Sequence, residues 1–323
     1  MSILNGFTKY KKAIKQLAAE ENCNSILLLI DSIWTRFKYG CALNHYIVGN
    51  FHKRSRFERK KIFTYRHWCK IVSTVNAPSH IHYLCNKVDF NTFFKEFIRR
   101  EWLYSKQMSF SDFESFCKKH RQAIIKPMNG LEGNGIMLKN MPKNSDEINT
   151  LFEKYKSSDI LIEENIIQHH EMVFGNKSVN TIRVYTVMNN KTGEVSIVKT
   201  VVRAGVGSSI VDNSHQGGCA YEIDKAHGYI ISPYYASNGL TSYIHPNTDI
   251  CMLGKQIPFW SDVKEICIKA AKKIPECRYI GWDIAIKEDG PLIIEGNHMP
   301  DLDMIEFVGS YGYFLQIMKG LGL

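Results

Sequence analysis

The segment from Tyr279 to Asp301, YIGWDIAIKEDGPLIIEGNHMPD, carries the residues whose types and spacing most directly suggest chemistry. Ile280, Trp282, Ile284 and Ile286 alternate with Gly281, Asp283 and Ala285, the period of a strand. Further on, Leu292 and Ile294 share one face, and Ile293, Glu295 and Asn297 the other. A three-residue loop, Glu288-Asp289-Gly290, puts its glycine where a left-handed conformation is needed. That loop pairs Lys287 with Pro291, and therefore Asp283 with Glu295. Directly opposed carboxylates repel each other. A cation between them removes the repulsion, and Asn297 adds a neutral oxygen. Hard oxygen donors of this kind suit Mg²⁺, which takes few protein ligands. The plain alternatives are two solvated carboxylates, or one protonated by its neighbour. A two-residue turn would break the register.

Positive charge and glycine lie upstream. In IIKPMNGLEGNGIML, starting at Ile124, Gly130, Gly133 and Gly135 flank a loop whose backbone N–H groups could approach phosphate oxygens. Lys126, just before it, can hold a phosphate as a point charge. The loop is neither a Walker loop nor a Rossmann fingerprint, and a glycine-rich turn is the alternative. ILIEENII ends an apolar strand in Glu163 and Glu164, either of which could face a nucleotide. In SVNTIRVYTVM, Asn180, Ile182 and Val184 share one face, and Thr181, Arg183 and Tyr185 the other. Arg183 in mid-strand needs an anion. Lys199 and Arg203 add positive charge on one face of the following strand. Asp212, Asn213, His215 and Gly217-Gly218 form a polar loop of the kind that closes over substrates, although an ordinary surface loop suits His215 better.

These residues require strands to position them. Apolar alternation predicts strands at Ala123–Lys126, Ile136–Leu138, Ile160–Glu163, Thr181–Met188, Glu194–Arg203, Tyr279–Lys287 and Leu292–Gly296. Helical spacing predicts helices over Asp146–Tyr155 and Trp260–Ile274. Residues 1 to about 120 read as mostly helical, with Phe90, Phe93, Phe94, Phe97 and Ile98 on one helical face. A helix start at Ser111 or Asp112 follows from a Ser111–Glu114 capping box. The expected class is α+β with antiparallel sheets. The expected division is a helical basic region over 1–120 and a catalytic region over 121–323, itself split near 165.

Of 323 residues, 44% are hydrophobic, ample for a core. The nine cysteines lack CxxC spacing, which disfavours a zinc site or a disulfide framework and fits a reducing compartment. No signal-peptide pattern opens the sequence, and the apolar run Ile26–Ile30 is too short to span a bilayer. A cytoplasmic location, soluble or peripheral at the inner membrane face, is expected. Residues 1–122 hold 22 Lys and Arg against 9 Asp and Glu, so the overall charge of +9 belongs to this third, densest from Lys53 to Lys61. Such a field attracts phosphates, anionic lipid headgroups or nucleic acid, although a solvated helix face is the better reading of it. No zinc-finger, RRM or KH signature accompanies the charge, so no nucleic-acid partner is expected.

The order of these features resembles the ATP-grasp superfamily, most closely its sugar-transfer-associated branch, which is related to α-glutamate-ligase-like proteins. The residues that carry the resemblance are Asn180-Thr181-Ile182-Arg183, Asp212-Asn213 with Gly217-Gly218, Gly281-Trp282-Asp283 and Glu295-Gly296-Asn297. It covers about residues 85 to 323. It implies two α+β subdomains gripping ATP, with Lys126 and the glycines on phosphates and Glu163 or Glu164 on adenine or ribose. Arg183 would stabilise the transferring phosphate, and Asp283, Glu295 and Asn297 would bind magnesium. Asn180 stands near where the family often has a glutamate, and Lys87 is a candidate second phosphate lysine. The implied activity is carboxylate–amine ligation through an acyl phosphate, in cell-surface polysaccharide assembly. Its substrates would be a small carboxylate and an amine, among them a sugar acid, nucleotide sugar or glycolipid. By position, Arg203 and the 212–218 loop would hold the acceptor. The competing implications are a kinase with the same ATP grip and a non-catalytic nucleotide-binding module.

Overall fold

The structure is a computed structural model, and it describes residues 3–129, 135–175, 178–207, 218–236 and 241–323, with the side chains of 3–6 left aside. Gly130, Gly133, Asp212, Asn213, His215 and Gly217 lie outside the described residues.

The strands are β1 (Trp102–Tyr104), β2 (Gln122–Pro127), β3 (Met137–Asn140), β4 (Ile160–Glu164), β5 (Thr181–Met188), β6 (Val195–Ala204), β7 (Cys219–Glu222), β8 (Tyr235–Ala236), β9 (Tyr279–Lys287) and β10 (Gly290–Asn297). They form two antiparallel sheets. The smaller runs β1-β4-β2-β3 and the larger β10-β9-β5-β6-β7-β8. The class is α+β, as expected.

Alternation in the central strands sorts side chains onto the two faces of the large sheet. Ile182, Val184, Ile280, Trp282, Ile284 and Ile286 face the helix Trp260–Lys273, together with Leu84, Phe90, Phe94 and Ile98 from the helical region. Trp282 meets Phe94 edge-on with ring centroids 5.4 Å apart, and its indole N–H donates to Thr186 at 2.9 Å. Tyr185, Val187 and Tyr279 face the other way, against the helices Tyr65–Val75, Leu302–Phe307 and Phe314–Leu321. The small sheet is covered by the helices Phe110–Lys119 and Ser145–Lys156.

Three expectations need correction. The division at 120 cuts through a packed unit, because β1 pairs with β4 and Phe113 and Phe116 lie in the small-sheet core. Among the described residues of the helical region, the stretch from Tyr10 to Ile62 packs into a core separate from those of the two sheets. The helix before β2 is capped by Ser109, with Asp112 closing the capping box, not by Ser111 and Glu114. Between β9 and β10 the turn is Glu288-Asp289, so Lys287 pairs with Gly290. A bulge between Ile293 and Glu295 then restores the pairing of Asp283 with Glu295. The bulge also moves Ile293 into the helix-covered core, so Ile293 and Glu295 do not share a face.

The C-terminal segment is held by buried charge. Lys199 donates to the carbonyls of Val308 and Ser310 at 2.5 and 2.8 Å. Glu306, fully buried, accepts from the backbone N–H groups of Gly312 and Tyr313. Burial pushes the Glu306 carboxyl up to about 7, although those N–H groups pull it back. A raised carboxyl binds its proton more tightly folded than unfolded. Its contribution is therefore complete below the ordinary value of 4.5 and lost as pH rises through about 7. Thermal melts should show Glu306→Gln flattening this loss between pH 5 and pH 7.5, and a variant curve merely parallel to wild type would contradict the assignment.

Candidate functional site

Asp283 lies between two partners in the sheet, Arg183 on β5 and Glu295 on β10. Arg183 grips it with two N–H groups, Nε on Oδ1 and Nη2 on Oδ2, the latter at 3.0 Å. Arg203 Nη1 reaches the same Oδ2 at 2.9 Å. All three side chains sit on the sheet face that carries Tyr185, where β5, β6 and β9 run side by side. Burial alone would raise the Asp283 carboxyl, but the two guanidinium groups overcome it and hold it at about 2.

Glu295 behaves in the opposite way. Protein crowds it, and that burial, with the Asp283 charge beside it, pushes its carboxyl up. Solvent still reaches the side chain, so the push is softened rather than complete. Asn297 Nδ2 donates to Glu295 Oε1 at 3.3 Å. The cluster is thus two abutting carboxyl groups, one saturated by arginines and one reluctant to ionise, with an amide oxygen donor adjacent. The donors are all oxygen, the set a hard divalent cation takes, while Asp283 is held by its two arginines.

The flanking glycines have steric causes. A Cβ on Gly281 would come within 2.6 Å of Pro300 Cβ and 3.1 Å of Arg183 Cδ, so a side chain there would strike Pro300 and crowd the Arg183 stem. A Cβ on Gly296 would strike Leu84 and Trp282 at 2.9 Å.

The small sheet supplies a second charged cluster. Glu163 on β4 is buried and contacts Lys126 of β2, Arg100 at 2.8 Å and Asn91 at 3.1 Å. These cations hold its carboxyl far below the usual range against the upward push of burial. Arg100 also donates to the carbonyls of Ile293 and Ile294 at 2.8 and 3.1 Å, the carbonyls of the β10 bulge. One guanidinium therefore ties the lysine-bearing sheet to the strand carrying Glu295. Lys87 donates to Met128 O at 3.0 Å, and burial lowers its ammonium, as does the charge of Lys126. The charges of Glu295 and Glu163 oppose that shift.

The structure therefore gathers Lys87, Lys126, Arg183, Arg203, Asp283, Glu295 and Asn297 around one region. Glu163 has its carboxylate engaged by the chain's own cations, and Glu164 Oε2 accepts from the Glu101 N–H at 3.0 Å. Two of the residues singled out in the sequence are engaged elsewhere. Lys199 is spent on the C-terminal segment. Asn180 is buried, donating to Met172 O at 2.7 Å and accepting from Gly205 N–H at 3.0 Å. Gly135 holds the left-handed conformation, with φ +79°. Sequence reasoning missed Asn91, in the helix Lys87–Phe93, and Arg100, at the bend before β1, with no motif to mark either. Another grouping, His169, His170 and Glu288, could approach a metal. His169 Nδ1 there accepts from Glu171 N–H, which leaves the hydrogen on Nε2, the nitrogen facing Glu288.

Removing Glu163 would leave Lys126 and Arg100 buried without their carboxylate. Glu163→Ala should lower stability in urea unfolding by about 3–5 kcal/mol, the cost of breaking a buried ion pair. A loss below about 1 kcal/mol would show the network to be dispensable.

Residues 69–319 match the sequence profile of the family described as sugar-transfer associated ATP-grasp. No curated protein sequence matches the chain. Among solved structures, the ATP-grasp ligase PsnB complexed with minimal precursor, Mg and ADP has 16% identity and a TM-score of 0.38, over 70% of this chain and 54% of that one. N5-carboxyaminoimidazole synthetase from Staphylococcus aureus complexed with ADP has 11% identity and a TM-score of 0.43, over 73% and 51%. The biotin carboxylase domain of the Hydrogenobacter thermophilus 2-oxoglutarate carboxylase has 15% identity and a TM-score of 0.45, over 76% and 47%. The chain thus spans little more than half the length of the first of these, and about half of the others. The profile match extends over most of the sequence and includes both sheets and every charged residue gathered at the site, so this chain belongs to the sugar-transfer associated ATP-grasp family.

Proposed function

We propose that the chain binds ATP with Mg²⁺ and ligates a carboxylate to an amine. The observation that carries this reading is Asp283 shared by Arg183 and Arg203 and abutting Glu295, with Lys126 and Lys87 in the same charged region. Asp283, Glu295 and Asn297 would hold the magnesium, which would supply positive charge to offset that of the phosphates. Lys126 is oriented by Glu163 and donates to phosphate. Arg183 and Arg203 present N–H groups to charge that develops as the phosphoryl group moves. The 130–135 segment and Glu164 are where we assign the remaining nucleotide contacts.

In the reaction, a carboxylate oxygen attacks the γ-phosphorus and the bond to the β,γ-bridging oxygen breaks. An acyl phosphate and ADP result. The amine nitrogen then attacks the acyl carbon, phosphate leaves, and the nitrogen gives up a proton. The chain needs no covalent nucleophile, and its task is positioning and electrostatic stabilisation. We propose a sugar acid or a nucleotide-linked or lipid-linked sugar as one substrate, in cell-surface polysaccharide assembly; the family's description, sugar-transfer associated, supports the link to sugars. We place the activity in the cytoplasm, with part of the protein at the inner membrane face. No described helix is long and apolar enough to cross a membrane.

Phosphate release from ATP and Mg²⁺ should require both an acid and an amine when sugar acids and amino compounds are screened in pairs. Arg203→Ala should slow it by about 10²–10³-fold, as removal of one transition-state donor does. A stable phosphorylated acceptor without free phosphate would make the protein a kinase instead.

A further inference from the structure

The helix Ser25–Tyr39 faces the wrong way for a helix of a water-soluble protein. Its buried side consists of Leu28, Ser32, Thr35 and Tyr39. Its outward side carries Ile26, Leu27, Ile30 and Phe37, exposed by 67, 65, 58 and 73%, with Trp34 between them. At 3.6 residues per turn these five fall within an arc of about 100°. The result is an apolar stripe along a helix of about four turns, and no described residue covers it. The only acidic residue of the helix, Asp31, is removed from that side by Arg59, whose Nη1 and Nη2 grip it at 2.8 Å, and by the Tyr46 hydroxyl at 2.6 Å.

The rim of the stripe is basic. Arg36 and Lys38 are exposed at its C-terminal end, where Arg66 donates to the Phe37 carbonyl at 2.8 Å. The Lys38 ammonium sits 4.4 Å from the Trp34 ring centroid. The same arrangement recurs nearby, with Lys61 over Phe57 at 4.0 Å and Lys11 over Phe7 at 4.8 Å. In each case the ammonium itself lies over the ring of an exposed aromatic, a cation–π contact that seats positive charge against the apolar surface. The densest basic run is less available than its sequence suggests: Lys53 pairs with Glu21, Arg59 with Asp31, and Arg54 stacks on Tyr311.

We infer that this stripe lies in the interface of an anionic lipid bilayer, with Ile26, Leu27, Ile30, Trp34 and Phe37 inserted below the headgroups and Arg36, Lys38 and Arg66 against lipid phosphates. The choice of a bilayer rests on charge complementarity. An apolar stripe with Arg36, Lys38 and Arg66 exposed at its end, in the third of the chain that holds the whole positive surplus, matches an interfacial helix on anionic lipid. This sharpens the membrane-facing part of the proposed function by naming the face and the residues that would make the contact.

Vesicle co-sedimentation tests it, with phosphatidylcholine alone and with about a third phosphatidylglycerol. The protein should bind the anionic vesicles, and Ile30→Ser with Phe37→Ser should weaken binding by at least about tenfold. Both side chains are exposed, so the double variant should keep its melting temperature and its ATP binding, measured in the same preparation. Wild type that fails to sediment with anionic vesicles, or a double variant that binds as well, would overturn the inference. So would a dimer, seen by sedimentation velocity without lipid, that the double variant dissociates, because the stripe would then be a contact between copies. Loss of ATP binding by wild type would refute the ligase reading and leave the vesicle result standing.

Discussion

Two arginines sharing one buried aspartate set the terms for the rest of the site. Arg183 and Arg203 come from adjacent strands and meet only because Asp283 stands opposite them on β9. Without that carboxylate, two guanidinium groups would lie buried side by side, at a cost of several kcal/mol. The arrangement also explains the local sequence. Gly281 makes room for the Arg183 stem, and Trp282 points to the opposite face, where it locks β9 against Thr186 and Phe94. With Glu295 protonated the two arginines outnumber the one carboxylate; with Glu295 ionised the charges balance, and its oxygens are open to a cation. An environment that can take both a phosphate and a metal suits a nucleotide bound with its counter-ion.

Arg100 extends this constraint to the second sheet. Its guanidinium joins Glu163, and through it Lys126, to the carbonyls freed by the β10 bulge. The bulge gives the strand two things at once: it brings Glu295 opposite Asp283, and it offers acceptors that fix the neighbouring sheet. The positions of the lysine and of the acidic pair are therefore coupled through side chains that themselves need not touch a ligand.

Much of this was legible in the sequence where one face of a strand is apolar. Thr181–Met188 and Tyr279–Lys287 are the strands that alternation predicts, and the need of Arg183 for an anion follows from its mid-strand place. The pairing of Asp283 with Glu295 was also legible, but for the wrong reason. Leu292, Ile293 and Ile294 form a continuous apolar run, which does not say which residue is extruded, so the bulge was invisible. Lys199 shares a face with Arg203, as parity requires, yet parity does not reveal that a returning C-terminal segment takes its ammonium. Asn91 was hidden because helical spacing identifies apolar faces, and Arg100 because it lies in a bend that no periodicity marks; neither pattern tells of a polar side chain that reaches another element. The strands β7 and β8 are too short for alternation to register.

The central claim is that the paired carboxylates bring a divalent cation to a bound nucleotide. Calorimetric titration of a non-hydrolysable ATP analogue, with and without Mg²⁺, into wild type and Glu295→Gln tests it most directly. Glu295→Gln keeps the shape of the side chain and leaves the Arg183–Asp283–Arg203 contacts in place. The account predicts that Mg²⁺ tightens binding to wild type and that the variant loses most of this dependence. Absence of nucleotide binding under either condition, or an equal effect of Mg²⁺ on both proteins, would contradict it.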